Sequence, residues 1–302
     1  MSAAAELATG VQRVGVLLDA GVAPSTAWRH AGDGTTLAGW ARAAGSAEPG
    51  VVAAILGAGP PGPAVAHPEA RRAFAGLAAT WAVSIEAGAP LAAALRSYAV
   101  LLRGFAESER QRRVALSGPI ATSRLVLVMP VLGLVLGAAL GEDTFGVLLG
   151  GPLGWACLVL GGALMGSAWW WNRALLRRAA LGDPLAGLVA ELVATAMRGG
   201  VSAERAGSIV GAAARRFGIP ADFRTTEAAI RVASAAGAPV AELLRSEAEE
   251  ARRSALADAA ERVERLSVTL MLPLGVCVLP AFMLLGVVPM IVGIIASTVT
   301  AI

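Results

Sequence analysis

The sequence predicts an all-α membrane protein with two cytoplasmic helical-bundle repeats, each followed by one or more transmembrane helices. Three observations favour this fold class. A short segment recurs once along the chain, each copy precedes a long apolar run, and the composition is unusually apolar. Hydrophobic residues make up 56% of the 302 residues and charged residues only 16%, against about 25% charged residues in soluble domains.

The recurring segment is Ala87–Ser97, which reads AGAPLAAALRS, and its second copy is Ala236–Ser246, which reads AGAPVAELLRS. An apolar run containing a proline follows each copy, with Pro130 after the first and Pro280 after the second. The pattern indicates an internal duplication with a period of about 150 residues.

The first polar segment begins with a predicted helix over Glu6–Ala20, where Leu7 and Val11 follow helical spacing. Gly21 is predicted to end this helix, because glycine takes positive φ without strain. Pro24 suits the first turn of the next helix, where its missing N–H is not needed.

The same order of helix, glycine and restarted helix occurs four times, which predicts four αα-hairpins, two in each polar segment. Ser202 is the expected N-cap at the third hairpin, where the other three restarts use proline. The predicted structural turn residues are Gly21, Gly88, Pro90, Gly200, Gly237 and Pro239.

The first polar unit, residues 1–116, carries an insertion rich in Gly, Ala and Pro over Ala31–Pro68, within which about 57–68 is predicted as a flexible loop. Gly57-Ala58-Gly59 resembles a phosphate loop only superficially. No strand precedes it, and the chain lacks both a GxxxxGK[ST] motif and lysine. Nucleotide binding is therefore not expected.

Three uncharged apolar runs, Leu125–Gly141, Phe145–Asn172 and Leu266–Ile302, predict membrane spans, since a span needs roughly 20 apolar residues. They divide the chain into two spans within 117–180 with a short outer loop at 141–145, a second polar unit over 181–265, and a final apolar region over 266–302. The final run accommodates either one span with an apolar tail or two spans.

Arginines flank the polar side of every predicted span, which places both polar units and the N-terminus in the cytoplasm. They are Arg103, Arg110, Arg112, Arg113, Arg124, Arg173, Arg177, Arg178, Arg252, Arg253, Arg262 and Arg265. The link between the first two spans carries Glu142 and Asp143 and is expected outside the cell.

Met1–Leu7 shows no signal-peptide pattern. Trp169–Trp171 suits the aromatic belt found at a membrane–water interface. The expected location is a cell membrane, which the chain crosses several times.

Residues that could do chemistry are few. Cys157 and Cys277 fall inside predicted spans and are expected to pack as small apolar residues. His30 and His67 have no partner at metal-ligand spacing. We predict no catalytic residue, cofactor or metal site. The net charge of +3, with arginines clustered beside spans, indicates contact with membrane lipids and not nucleic acid.

Two stretches of dense mixed charge stand where each polar unit approaches a span. Such helix faces are commonly only solvated, with i,i+4 pairs such as Glu249–Arg253. The functional alternative is a partner-docking face, whose candidate residues are Arg110, Arg112, Arg113, Arg252 and Arg253.

The duplicated hairpin and its following proline-bearing span resemble the type II secretion system F family. The strongest similarities are Ala87–Leu95 with Pro130 and Ala236–Leu244 with Leu279–Phe282. The resemblance implies a non-enzymatic inner-membrane platform of a type II secretion, type IV or tight-adherence (Tad) pilus machine. It implies a cytoplasmic secretion ATPase and pilin or pseudopilin subunits as partners, and a homo-oligomer or a paired platform protein. Tad members usually carry one such unit after extra spans, a pattern from which this chain departs.

The alternatives are a small permease or transporter subunit and an intramembrane enzyme. Transport of polar substrates usually leaves ionisable residues at membrane depth, and none lies in the three apolar runs. Intramembrane catalysis needs paired carboxylates, HExxH or a Ser–His pair. The apolar runs contain none of these, which favours the platform.

Overall fold

The computed structural model describes residues 3–62, 68–139, 151–178, 183–289 and 291–292. Every regular element in these residues is helical, so the prediction of an all-α chain is confirmed for this part. The elements are α1 (Ala3–Asp19), α2 (Pro24–Ala31), α3 (Ala38–Ser46), α4 (Pro49–Ala58), α5 (Pro68–Ala87), α6 (Leu91–Ala139), α7 (Pro152–Arg178), α8 (Leu188–Arg198), α9 (Ala203–Phe217), α10 (Arg224–Ala236), α11 (Val240–Thr269), α12 (Met271–Pro273), a π-helical turn (Leu274–Val278), α13 (Leu279–Phe282) and a second π-helical turn (Met283–Val287).

The four hairpins have the turn geometry that the sequence predicts. The turn glycines all have positive φ: 81° at Gly21, 64° at Gly88, 89° at Gly200 and 65° at Gly237. Glycine is suited to this region because a Cβ would collide with the following carbonyl oxygen. The Ser202 side chain caps α9 by accepting a hydrogen bond from the Arg205 backbone N–H at 3.3 Å.

The chain forms two compact units, and each contains residues from both halves of the sequence. The first consists of the described parts of Met1–Glu109 and Leu181–Ala259, and the second of those of Arg110–Ala180 and Ala260–Ile302. The sequence pattern predicts a separate helical bundle for each polar segment. In the structure their hairpins share one core, so helices from both polar segments fold together in the first unit.

Helix α5 is where the two copies meet in the first unit, because it packs against α8 and α9 of the second copy as well as against α4. Gly199 at the end of α8 lies against the carbonyl of Ala87 at the end of α5, and a Cβ on Gly199 would clash with that oxygen. Tyr98 on α6 is buried and donates a hydrogen bond to the Ala73 carbonyl of α5, and burial raises the pKa of its phenol.

The insertion in the first copy contains two helices, α3 and α4, and α4 extends to Ala58 within the predicted loop. The remainder of that predicted loop lies partly outside the described residues, at 63–67. Trp40 of α3 is buried, and its indole N–H donates to the Ile55 carbonyl of α4 at 2.9 Å. The insertion therefore adds to the core of the first unit.

The second unit packs α7 against the C-terminal helical segments. A Cβ on Gly161 would lie 2.5 Å from Cγ of Leu285, so the absence of a side chain there permits the close approach. The π-helical turns follow Pro273 and lie on both sides of α13, which contains Pro280. A proline has no N–H to donate within a helix, and such wider turns accommodate the lost bond.

In the described part of the chain, one continuous helical stretch is long and apolar enough to cross a membrane, and it runs from the start of α11 to the end of the second π-helical turn, Val240–Val287. The sequence predicts three such segments. The predicted outer loop at 141–145 and the end of the final apolar run, residues 293–302, fall outside the described residues.

Candidate functional site

Arg252 and Arg253 belong to the first unit, and the structure gives them different environments. The Arg252 side chain is 22% exposed and pairs at 3.7 Å with Glu191 of α8, whose side chain is 9% exposed. Arg253 is 71% exposed and pairs with Glu249 and Glu250 on its own helix. Arg252 therefore joins α11 to α8, and Arg253 is the one of the two with a side chain accessible to a partner.

The pair between Glu191 and Arg252 is incompletely satisfied, because the second carboxylate oxygen, Oε1 of Glu191, is buried and has no hydrogen-bond partner. A buried ion pair stabilises little in total, since desolvation offsets the attraction. Removing only one partner is costly, because it leaves an uncompensated buried charge. The pair thus holds α11 in place without adding much net stability.

A cavity of about 240 Å³ lies beside these arginines within the first unit. Its wall is mainly apolar, with Leu101, Phe105, Pro184 and Leu256 among the lining residues. The charged groups at its edge are internally paired, as with Asp183 and Arg72 at 3.9 Å. The cavity therefore presents no unbalanced charge to a ligand.

The other three arginines of the predicted docking face belong to the second unit. Arg110 and Arg113 are exposed on α6, and Arg112 is partly buried. Exposed Trp169, Trp170 and Trp171 lie on α7 of the same unit. The guanidinium of Arg173 lies 5.5 Å from the Trp169 ring centroid, which is a cation–π distance.

The sharpest contrast in the first unit is between equivalent positions of the duplicated hairpin. Val83 of α5 is 0% exposed, and Val232, its counterpart in α10, is 62% exposed. Ala87 and Ala89 around the first turn are buried, while Ala236 and Ala238 around the second are exposed. The same sequence motif therefore builds core in the first copy and surface in the second.

A groove of about 550 Å³ runs along the second copy, where α10 faces α8 and α9. Its floor is apolar and its edge is charged. The lining residues are Val193, Ala203, Glu204, Gly207, Phe223, Thr226, Glu227, Ile230 and Arg231. At the start of α10, Asp222 accepts hydrogen bonds from the backbone and guanidinium of Arg224, which lowers the pKa of the Asp222 carboxyl.

The cysteines and histidines form no reactive group in the described residues. Cys157 and Cys277 are buried, and His30 is exposed beside Asp33, with Nδ1 and Oδ2 3.3 Å apart. His67 lies outside the described residues. Within the ranges that the structure covers, no three His, Cys, Asp or Glu side chains are grouped as metal ligands.

The sequence pattern predicts the four glycine turns. It does not predict the groove between α10 and the helices α8 and α9, or the exposed face of α10. The sequence nevertheless contains one signal of the groove. Aligning Gly21 with Gly200 places Gly207 opposite Trp28, so the later hairpin lacks a large side chain where the earlier one has a tryptophan.

Comparison with known families supplies one match. Residues 11–138 match the family described as type II secretion system (T2SS), protein F. Neither a curated protein nor a solved structure matches the chain. The matched residues extend from within α1 to near the end of α6 and include the first copy of the duplicated hairpin.

Proposed function

We propose that this chain, which belongs to the type II secretion system F family by its match over residues 11–138, is a non-enzymatic inner-membrane platform protein. The family match supports membership of a secretion or pilus assembly machine, and it is the observation on which the proposal depends. The machine is of the type II secretion or type IV-like kind, with a Tad pilus as one form of it.

The proposed task is to pass force from a cytoplasmic secretion ATPase to pilin or pseudopilin subunits as they leave the bilayer. The shared core of the two hairpin copies supports this role, because force applied to one copy reaches the other through packed helices such as α5 and α8. The protein itself hydrolyses nothing in this scheme, and it acts as a homo-oligomer or beside a second platform protein.

The proposed topology is multi-pass, with the N-terminus and both polar segments in the cytoplasm. The arginines beside each apolar run support this orientation. Single cysteines at Ser97, Asp143 and Ser246, in a background without Cys157 and Cys277, distinguish the arrangements when intact cells are treated with a membrane-impermeant thiol reagent. Position 143 alone is expected to label, and labelling at 97 or 246 would overturn the topology.

A deletion strain tests the function. Loss of the protein should abolish surface filaments or secretion and leave intact pilins in the membrane. Purified protein in detergent should show no ATPase activity, yet should capture a secretion ATPase. Normal filaments in the deletion strain, or solute transport by the purified protein in liposomes, would refute the platform assignment and favour a permease.

A further inference from the structure

The two copies of the repeat differ at the position where the first copy binds α3. In the first copy, Trp28 of α2 and Phe74 of α5 both contact Trp40 of α3. The duplication places Gly207 at the position of Trp28 and Phe223 at that of Phe74. The second copy therefore keeps part of the α3 contact surface and lacks its largest side chain.

In the first copy, α3 covers this surface, and its packing shows which kind of helix the surface binds. The ring centroids of Trp28 and Trp40 are 5.6 Å apart in an edge-to-face arrangement, and those of Trp40 and Phe74 are 5.2 Å apart. The backbone of α3 also approaches closely, since a Cβ on Gly45 would lie 2.5 Å from the Ser25 carbonyl oxygen of α2. A short helix with one aromatic anchor and small neighbours thus fills the site.

The corresponding place in the second copy is open. The groove of about 550 Å³ is lined by Glu204, Gly207 and Phe223, the counterparts of Ser25, Trp28 and Phe74. A Cβ added to Gly207 would meet nothing within 4 Å. The connection from Phe217 to Arg224 contains no helix that could cover the groove as α3 covers the first copy.

We propose that this groove binds an amphipathic helix of a partner protein that carries one large aromatic or aliphatic anchor and a nearby arginine. The apolar floor formed by Val193, Phe223 and Ile230 suits the anchor. The edge bears Glu204 and Glu227 against Arg231 alone, so its charge complements a basic helix. Arg42, close to Trp40 on α3, shows the same pairing of anchor and arginine. The inference goes beyond the platform role and does not depend on which machine the chain serves.

A synthetic peptide of Thr35–Glu48, which contains α3, is the probe. It is labelled with a fluorophore, and its fluorescence anisotropy is measured as the concentration of the purified full chain in detergent is raised.

The variant Gly207→Trp supplies the side chain that the first copy has, and it should weaken peptide binding at least tenfold. The matched control Ser208→Trp changes an exposed neighbour that does not line the groove, and it should bind the peptide as the wild-type chain does. A peptide with Trp40→Ala should bind at least tenfold more weakly.

Gly207→Trp should unfold at the wild-type temperature or above it, and Gly207→Leu replaces it as the test variant if it unfolds at a lower temperature. No binding of the peptide to the wild-type chain, or equal binding by the Gly207→Trp and Ser208→Trp variants, would overturn the proposal. Light scattering in the same detergent identifies another occupant. If Gly207→Trp converts a dimer to a monomer, the groove holds a second copy of this chain and the stated partner is wrong.

Discussion

The two copies of the AGAP hairpin share a turn but not an environment. Gly88 and Gly237 have φ values of 64° and 65°, so the backbone repeats closely. Val83 is fully buried before the first turn, and Val232 is 62% exposed before the second. The turn is therefore a local property of the sequence, whereas burial is decided by what the rest of the chain packs on each hairpin.

The neighbouring residues explain why the copies differ. Ala78 and Ala82 of α5 correspond to Glu227 and Arg231 of α10. Small side chains on α5 allow α4, α8 and α9 to approach it closely. Charged side chains at the same places on α10 are exposed, because burying them without partners would be costly. The first of the two similar hairpins therefore lies in the core, and the second lies at the surface.

The largest expected effect comes from placing a charge at the two equivalent valines. Val83→Asp should destabilise the protein by more than about 4 kcal/mol, since it buries an unpaired carboxylate. Val232→Asp should change stability by no more than about 0.5 kcal/mol, as is usual for surface positions. Denaturant unfolding of the purified chain in detergent measures both losses of stability. Similar losses for the two variants would contradict the difference in burial between Val83 and Val232.

The contact between the copies can be tested at Gly199. Replacing it with alanine forces a methyl group against the Ala87 carbonyl and should cost about 1–3 kcal/mol, the range for overpacking. Gly207→Ala is the matched control, because its methyl group meets nothing and should stabilise α9 by about 0.5–1 kcal/mol. Thermal unfolding compares the two. A neutral Gly199→Ala would mean that the copies do not meet as described.

The turns should respond alike in both copies. A Cβ on Gly88 or Gly237 meets nothing within 4 Å, so replacement by valine tests backbone strain without a steric clash. Each variant should lose about 1–2 kcal/mol from left-handed strain. Thermal unfolding measures each loss, and equal losses would show that the two turns have the same backbone strain. A variant with valine at both glycines that kept full stability would refute the turn assignment.

The smallest effect is expected at the ion pair between Asp19 of α1 and Arg96 of α6. The second copy has Arg198 where the first has Asp19, so the pair has no counterpart there. Both side chains are about two-fifths exposed, and Asp19→Ala should cost at most about 1 kcal/mol. Unfolding at low and high salt checks this, because screening should reduce the loss. A loss that is independent of salt would point to packing instead of charge.

The sequence was sufficient for features with local causes. The hairpin turns at Gly21, Gly88, Gly200 and Gly237 follow from glycine chemistry, and the Ser202 cap follows from its place before α9. Helical periodicity likewise predicts α1 with bounds shifted by a few residues, since the helix covers Ala3–Asp19 and the prediction was Glu6–Ala20.

Features with non-local causes were missed. Nothing in the periodicity of α5 and α8 states that they pack on each other, because that contact joins residues far apart in sequence. The helices α3 and α4 lie in a stretch rich in Gly, Ala and Pro whose composition favours loops. Trp40 was the available clue, since a large apolar side chain in an insertion indicates burial.

The most direct test of the account is the thiol reactivity of cysteines placed at the two equivalent valines. Val83→Cys and Val232→Cys are made separately in a chain whose Cys157 and Cys277 are replaced by serine, and each is treated with a maleimide under native conditions in detergent. We expect the thiol of the Val232→Cys variant to react nearly as fast as it does in denaturant. The thiol of the Val83→Cys variant should react at least a hundredfold more slowly than in denaturant, on the order expected from protection by a stable core. Equal native rates at the two positions would contradict the claim that one copy is core and the other surface.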